Sequence, residues 1–149
     1  MIQHSEKDIE KAIVKAVELV LKHDIFLLEN AANERSVAHK LAEYLTPLFP
    51  EYHVDCEYNR HGIDVKEIER SRRIYPDIVI HRRNTDDNNL LVVEVKTNQS
   101  TDDNDILKLE RLTAADGAFH YFLGAAIDLK DFRNHEVRWY QKGIKIQID

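Results

Sequence analysis

The stretch PDIVIHRRNTDDNNLLVVEVKTNQS, residues 76–100, carries two runs of aliphatic and β-branched residues that are interrupted by charge. YPDIVIH (75–81) and NLLVVEVKT (89–97) read as strands, and the Asn/Asp-rich RRNTDDNN between them is turn chemistry. Asp77, Glu94 and Lys96 lie on these strands, where a charge is costly to desolvate unless it is paired or holds a cation. Either they occupy a solvent-facing sheet surface or they form a site.

Outward from this pair, the chain alternates between helical and strand patterns. Ser5 followed by Asp8 forms a capping-box signature, and Ile9, Ile13, Val17, Val20 and Leu21 recur at helical spacing, which predicts a helix over residues 6–22. HDIFLLENAA reads as helix or as a helix–helix junction. Val37, Leu41, Tyr44, Leu45 and Leu48 make a second helical stripe that Pro47 and Pro50 terminate, with Asn33 as its N-cap. EYHVDCEY reads as the first strand, with Tyr52, Val54, Cys56 and Tyr58 on one face and Cys56 in the core. RHGIDVKEIERSRR is a polar connection that reads as loop. Beyond residue 100, TDDNDILKLERLTAA predicts a capped helix that turns Ile106, Leu109 and Leu112 inward. AFHYFLGAAIDL follows as a fourth strand, and HEVRWYQKGIKIQI supplies one or two more, with Trp139 as a packing residue. The order is helix, helix, three strands, helix, strand, strand. It predicts an α/β domain over residues 1–149 whose mixed sheet is flanked by helices, with a parallel crossover after the third strand.

The bulk properties narrow the function classes. A chain of 149 residues with this composition has the size of one ordinary globular domain. No apolar run is long enough to span a bilayer, so no membrane is expected, and MIQHSEKDIEK lacks signal-peptide character, which makes the cytoplasm the expected compartment. The single cysteine excludes an internal disulfide and a cysteine-rich zinc site. The eight histidines show no ligand spacing, and there is neither a nucleophile elbow nor a glycine-rich phosphate loop. The formal charge of −6 is a poor global footprint for a nucleic-acid binder, although Arg60, Lys66, Arg70, Arg72, Arg73, Arg82 and Arg83 concentrate near the second strand. These arginines are either a solvated surface or a phosphate-contacting rim.

In NLLVVEVKT the alternation puts Leu91, Val93 and Val95 on one face and Leu90, Val92, Glu94 and Lys96 on the other. If the turn pairs the two strands as a hairpin, Asp77 lands beside the carboxyl end of the third strand, near Glu94. Converging carboxylates repel unless a divalent cation lies between them, and Mg²⁺ takes such oxygen ligands. A neighbouring lysine would orient or help deprotonate a water, or stabilise charge developing on phosphorus.

Pro76-Asp77 followed by Glu94-Val95-Lys96, on adjacent predicted strands within an αβββαβ order, resembles the PD-(D/E)XK nuclease superfamily. The resemblance covers roughly residues 33–128 and implies a restriction endonuclease-like fold with an extra N-terminal helix. It implies a nuclease that hydrolyses DNA phosphodiester bonds with Mg²⁺ or Mn²⁺, structure-selective or partner-directed in repair, recombination or defence. By the same resemblance, Asp77 and Glu94 are metal ligands with the Val95 carbonyl as a third, Lys96 is the catalytic lysine, and Glu34 is an auxiliary acid that holds a metal-bound water. Gln99, Lys108 and Arg111 would touch phosphates, and so would His61. The implied partner is nucleic acid, most simply DNA, and a homodimer would let two sites address two strands.

Plainer readings stand beside these. Glu94 and Lys96 are an exposed same-face ion pair, Asp77 a turn residue, and Glu34 a first-turn acid favoured by the helix dipole. The alternative functional reading is a nuclease-fold nucleic-acid-binding or assembly subunit without activity.

Overall fold

The first helix begins where its capping chemistry places it. In the computed structural model, which describes residues 4–29, 34–58, 60–61, 64–65, 67–69, 72–73, 75–85, 87–97, 102–129 and 135–149, Ser5 Oγ accepts from the Asp8 amide and Asp8 accepts from the Ser5 amide. Between residues 60 and 73 only the backbone is described. The elements run α1 (Glu6–His23), α2 (Ile25–Glu29), α3 (Glu34–Leu45), a 3-10 turn (Thr46–Leu48), β1 (His53–Cys56), β2 (Arg60–His61), β3 (Asp64–Val65), β4 (Glu67–Glu69) and β5 (Arg72–Arg73). They continue with β6 (Ile78–His81), β7 (Leu91–Lys96), α4 (Asp103–Thr113), β8 (Leu123–Asp128), β9 (Glu136–Gln141) and β10 (Ile144–Ile146).

The chain is an α/β protein built on a six-stranded mixed sheet of order β1-β6-β7-β8-β9-β10. Every pairing in it is antiparallel except β7 with β8, which are parallel and joined through α4. These two central strands are buried on both faces, which is why their sequences run nearly continuously apolar. On one face α1 and α3 pack Ile9, Ile13, Val17, Val37, Leu41 and Leu45 against Ile78, Ile80, Leu91, Val93 and Val95. On the other, α4 packs Leu109 and Leu112 against Val79, Val92, Ala126 and Tyr140. Gly124 of β8 permits this second layer to sit close, because a Cβ there would lie 3.1 Å from Thr113 Cγ2 and 3.3 Å from Leu109 Cδ2. Trp139 is buried in the first layer, as its aromatic bulk predicts.

Several expectations need correction. HDIFLLENAA forms only the short α2, after Asp24 closes α1 by donating its amide to the Val20 carbonyl. Asn33 lies outside the described residues. RHGIDVKEIERSRR is more than loop, since its backbone pairs locally as β2 with β3 and β4 with β5, satisfying groups that the main sheet leaves free. Leu90 precedes β7 and packs in the α1/α3 layer, so it does not share a face with Glu94. The first strand is shorter than its alternation implies. Glu57 adopts a left-handed φ of 51°, which ends β1 and turns the chain over. Tyr52 and Val54 therefore pack with the α1/α3 layer while Tyr58 packs with the α4 layer. Cys56, at the end of this edge strand, is exposed rather than in the core. Among the described residues no helix is long and apolar enough to cross a membrane.

The β1 edge is fastened by a polar cluster. His81, only 1% exposed, donates from Nε2 to Asp55 Oδ2 at 2.8 Å. Arg83 clamps the same carboxylate through Nε at 2.9 Å and Nη2 at 2.6 Å, and the Tyr58 ring lies edge-on to His81 at 4.4 Å. Burial alone would raise the Asp55 pKa, but the hydrogen bonds from His81 and Arg83 outweigh it and hold the group well below the usual carboxylate range. Because the folded pKa is depressed, this contribution to stability is complete above the unfolded value of about 3.9 and is lost as the pH falls below it. Asp55→Asn is expected to cost about 2–4 kcal/mol at neutral pH. It should also flatten the acid limb of stability, measured by urea denaturation between neutral pH and pH 3.

Candidate active site

The residues that interrupt the strand patterns meet at the carboxyl end of β7. In the antiparallel register Ile78 opposes Val93 and Val79 opposes Val92, so Asp77 continues the ladder opposite Glu94. Pro76 supplies no amide to extend the ladder. The Asp77 side chain instead accepts from the Val95 amide, with Oδ2 at 2.7 Å, while its backbone carbonyl accepts from the Glu57 amide at 3.1 Å. Both of its polar functions are thereby fixed.

Glu94 is the anomaly of the core, a carboxyl on a central strand with 2% of its surface exposed. Burial pushes its pKa well above the usual range, and the charge of Asp77 and a hydrogen-bond contact with that carboxylate push it further; Lys108 offsets only part of the rise. Lys108 Nζ stands 3.2 Å from Glu94 Oε1, yet this buried oxygen receives no aligned hydrogen bond from any described residue. Glu34 Oε2 is likewise buried without an aligned donor among the described residues. Glu34 opens α3 from the opposite layer, and its carboxyl is also raised, first by burial and then by the Asp77 charge, against the opposing effect of Lys96.

Lys96 collects the surrounding acids. Its Nζ lies 3.3 Å from Asp105 Oδ2 and 3.9 Å from both Glu34 Oε1 and Asp102 Oδ2. Burial alone would lower the ammonium pKa, but Asp105, Glu34 and Asp102 together raise it, so Lys96 is protonated at neutral pH. Asp102 and Asp105 owe their positions to helix chemistry, as they form the capping box of α4. The buried Asp105 thus serves a helix start and a lysine at once.

All the residues singled out in the sequence, Glu34, Asp77, Glu94, Val95 and Lys96, fall within this cluster. Lys108 belongs to it through Glu94, while Arg111 is exposed in the last turn of α4, about 9 Å along the axis from Asp105. The sequence reading missed Asp105, whose signal was its position on the same helix face as Lys108. Gln99 lies outside the described residues, as do the side chains of His61, Arg60, Lys66, Arg70, Arg72 and Arg73. The remaining two arginines do not form a free rim: Arg83 is clamped on Asp55, and Arg82 lies over the Tyr52 ring with its carbon 5.6 Å from the centroid.

Among the described residues no three His, Cys, Asp or Glu side chains form a metal-binding group. A magnesium ion asks for less, being held by one or two carboxylates and several waters. The donor chemistry fits such an ion, since Asp77 and Glu94 converge, an oxygen of Glu94 is orphaned, and Glu34 brings a second orphaned oxygen nearby. No protein-family model matches the chain, and no curated protein matches it.

The raised Glu94 pKa carries a stability consequence. A carboxyl that folding holds protonated contributes its stability below the unfolded pKa of about 4.3, and loses it as the pH rises towards the folded value. In chelator, stability should fall with rising pH at up to about 1.4 kcal/mol per unit where Glu94 ionises. Glu94→Gln should remove that slope, read from denaturant midpoints between pH 5 and pH 8; an unchanged slope would assign the pH dependence to other groups.

Proposed function

We propose that this protein is a metal-dependent nuclease of the PD-(D/E)XK type, with a restriction endonuclease-like fold, that hydrolyses phosphodiester bonds of DNA. One observation carries the reading: buried Glu94 meets Asp77 at the end of β7, with Lys96 and Glu34 beside them. The strand order β1-β6-β7-β8 and the α3–β1–β6–β7–α4–β8 succession support the fold, with β2–β5 as an insertion between the first two core strands.

Asp77 and Glu94 would hold Mg²⁺ or Mn²⁺, with the Val95 carbonyl as the third protein ligand. The bound ion supplies Lewis-acid stabilisation of the phosphate oxygens and lowers the pKa of an attacking water. The directions of the pKa shifts then divide the remaining roles. Lys96, kept protonated by its acidic neighbours, orients the scissile phosphate and stabilises charge developing on it, and is not the group that takes a proton. Glu34, whose carboxyl is raised by burial, is the better proton acceptor and would receive the proton of the water. Asp105 acts through Lys96, fixing the ammonium at 3.3 Å.

A second reading, a nuclease-fold binding or assembly subunit without catalysis, is favoured by the net charge of −6 and by the use of Asp77 as a cap on the Val95 amide. Plasmid nicking in Mn²⁺ separates the two. Wild-type protein should nick supercoiled DNA, and Asp77→Ala and Lys96→Ala should each lose at least 100-fold, the low end of what a positioned catalytic group contributes. Equal nicking by all three preparations would point to a contaminant and end the enzyme reading.

A further inference from the structure

The α3 helix does more than deliver Glu34 to the cluster. Its next residue, Arg35, lines a cleft of about 220 Å³ together with His39, Cys56, Glu57 and Asp77. Arg35 and His39 are four apart on the helix and share a face. They also line an adjoining cleft of about 470 Å³, whose wall continues to Lys40. The two clefts thus form one groove that leaves Asp77 and follows α3 outward. Its donors are basic, and each is engaged only by an exposed acid. Arg35 Nε is 3.0 Å from Glu57 Oε1 with the Arg35 side chain 80% exposed. Lys40 Nζ is 3.2 Å from Glu43 Oε2, and His39 Nε2 is 3.9 Å from Glu43 Oε1. Exposed pairs of this kind hold weakly and exchange readily with other oxyanions.

Glu57 is placed to regulate the first of these contacts. It has the left-handed backbone that ends β1, its amide is tied to the Asp77 carbonyl at 3.1 Å, and its side chain restrains Arg35. Arg35 and Lys40 are separated by about 7.5 Å along the helix axis, a span suited to successive phosphates of one strand.

We infer that the groove along α3 seats the phosphate backbone of the nucleic-acid strand being cut. Arg35 binds the phosphate next to the scissile one, His39 and Lys40 continue the track, and Glu57 is the internal carboxylate that a phosphate displaces from Arg35. The identity of the ligand rests on the nuclease reading above; the location of its track rests on the groove.

The test is binding of a fluorescent single-stranded DNA oligonucleotide by the full chain, followed by anisotropy over a salt series, with Ca²⁺ in place of Mg²⁺ to prevent turnover. Arg35→Ala should raise Kd roughly 10-fold and reduce the slope of log K against log salt by about 1, with Arg35→Lys retaining most of the slope. Glu57→Gln should tighten binding about 3-fold, a gain that a folding defect would not produce. Lys7→Ala, on the exposed surface of α1, is the reference for loss of a remote charge. Maleimide labelling of Cys56, the single cysteine, should slow roughly 10-fold when the oligonucleotide is bound. If wild-type protein binds and nicks DNA while Arg35→Ala matches Lys7→Ala, Glu57→Gln matches wild type and Cys56 stays unprotected, the groove assignment is overturned and the nuclease reading stands. If wild-type protein neither binds nor nicks DNA, the nuclease reading fails and the groove assignment falls with it.

Discussion

Burying a carboxyl on a central strand is the constraint around which one end of this molecule is organised. Glu94 is surrounded by sheet and helix, and an ionised carboxylate in such a place would cost several kcal/mol without compensation. The protein compensates only in part. Lys108 approaches from α4 and Asp77 offers an acceptor, but one oxygen remains without an aligned partner. A site arranged purely for stability would place a Val or Leu here, matching Val92 on the same face. Retaining an acid at that position is the kind of local cost that functional sites impose on a fold.

The topology explains why the cost falls at this end. The parallel pair β7 and β8 finishes there, α4 starts there, and α3 starts there from the opposite layer. Helix N-termini favour acids, so Glu34, Asp102 and Asp105 are stabilised by the dipoles of the helices they begin. The same acids surround Lys96 and keep it protonated. Helix-start chemistry and site chemistry therefore use one set of side chains, which is why the plain and the functional readings of Glu34 and Asp105 are compatible. The opposite edge of the hairpin has a different solution, since Asp55, His81 and Arg83 satisfy one another there.

Charge is distributed to match. The chain is acidic as a whole, but the wall that continues from Asp77 along α3 is built from Arg35, His39 and Lys40, each leaning on an acid that is itself exposed. Net charge describes long-range attraction, whereas a short track of paired bases describes contact. An acidic protein can hold a polyanion locally if partner carboxylates give way, at the cost of slower and more salt-sensitive association.

Periodicity and turn chemistry by themselves determined the helices at Glu6–His23 and Asp103–Thr113, the hairpin of β6 and β7, the parallel crossover and the two strands at the C-terminus, because each of these follows from interactions between residues near one another in the chain. The same local logic singled out Asp77, Glu94 and Lys96 as misfits in buried strands. It failed at Tyr58 and Cys56, since one left-handed residue at Glu57 reverses the face of everything after it and leaves no mark in an alternation pattern. Only the tertiary structure decided that Arg83 serves Asp55 and leaves the surface track to α3. Only it brought Asp105 and Lys108 into the cluster, because those contacts join elements whose spacing in the chain says nothing about their approach in space.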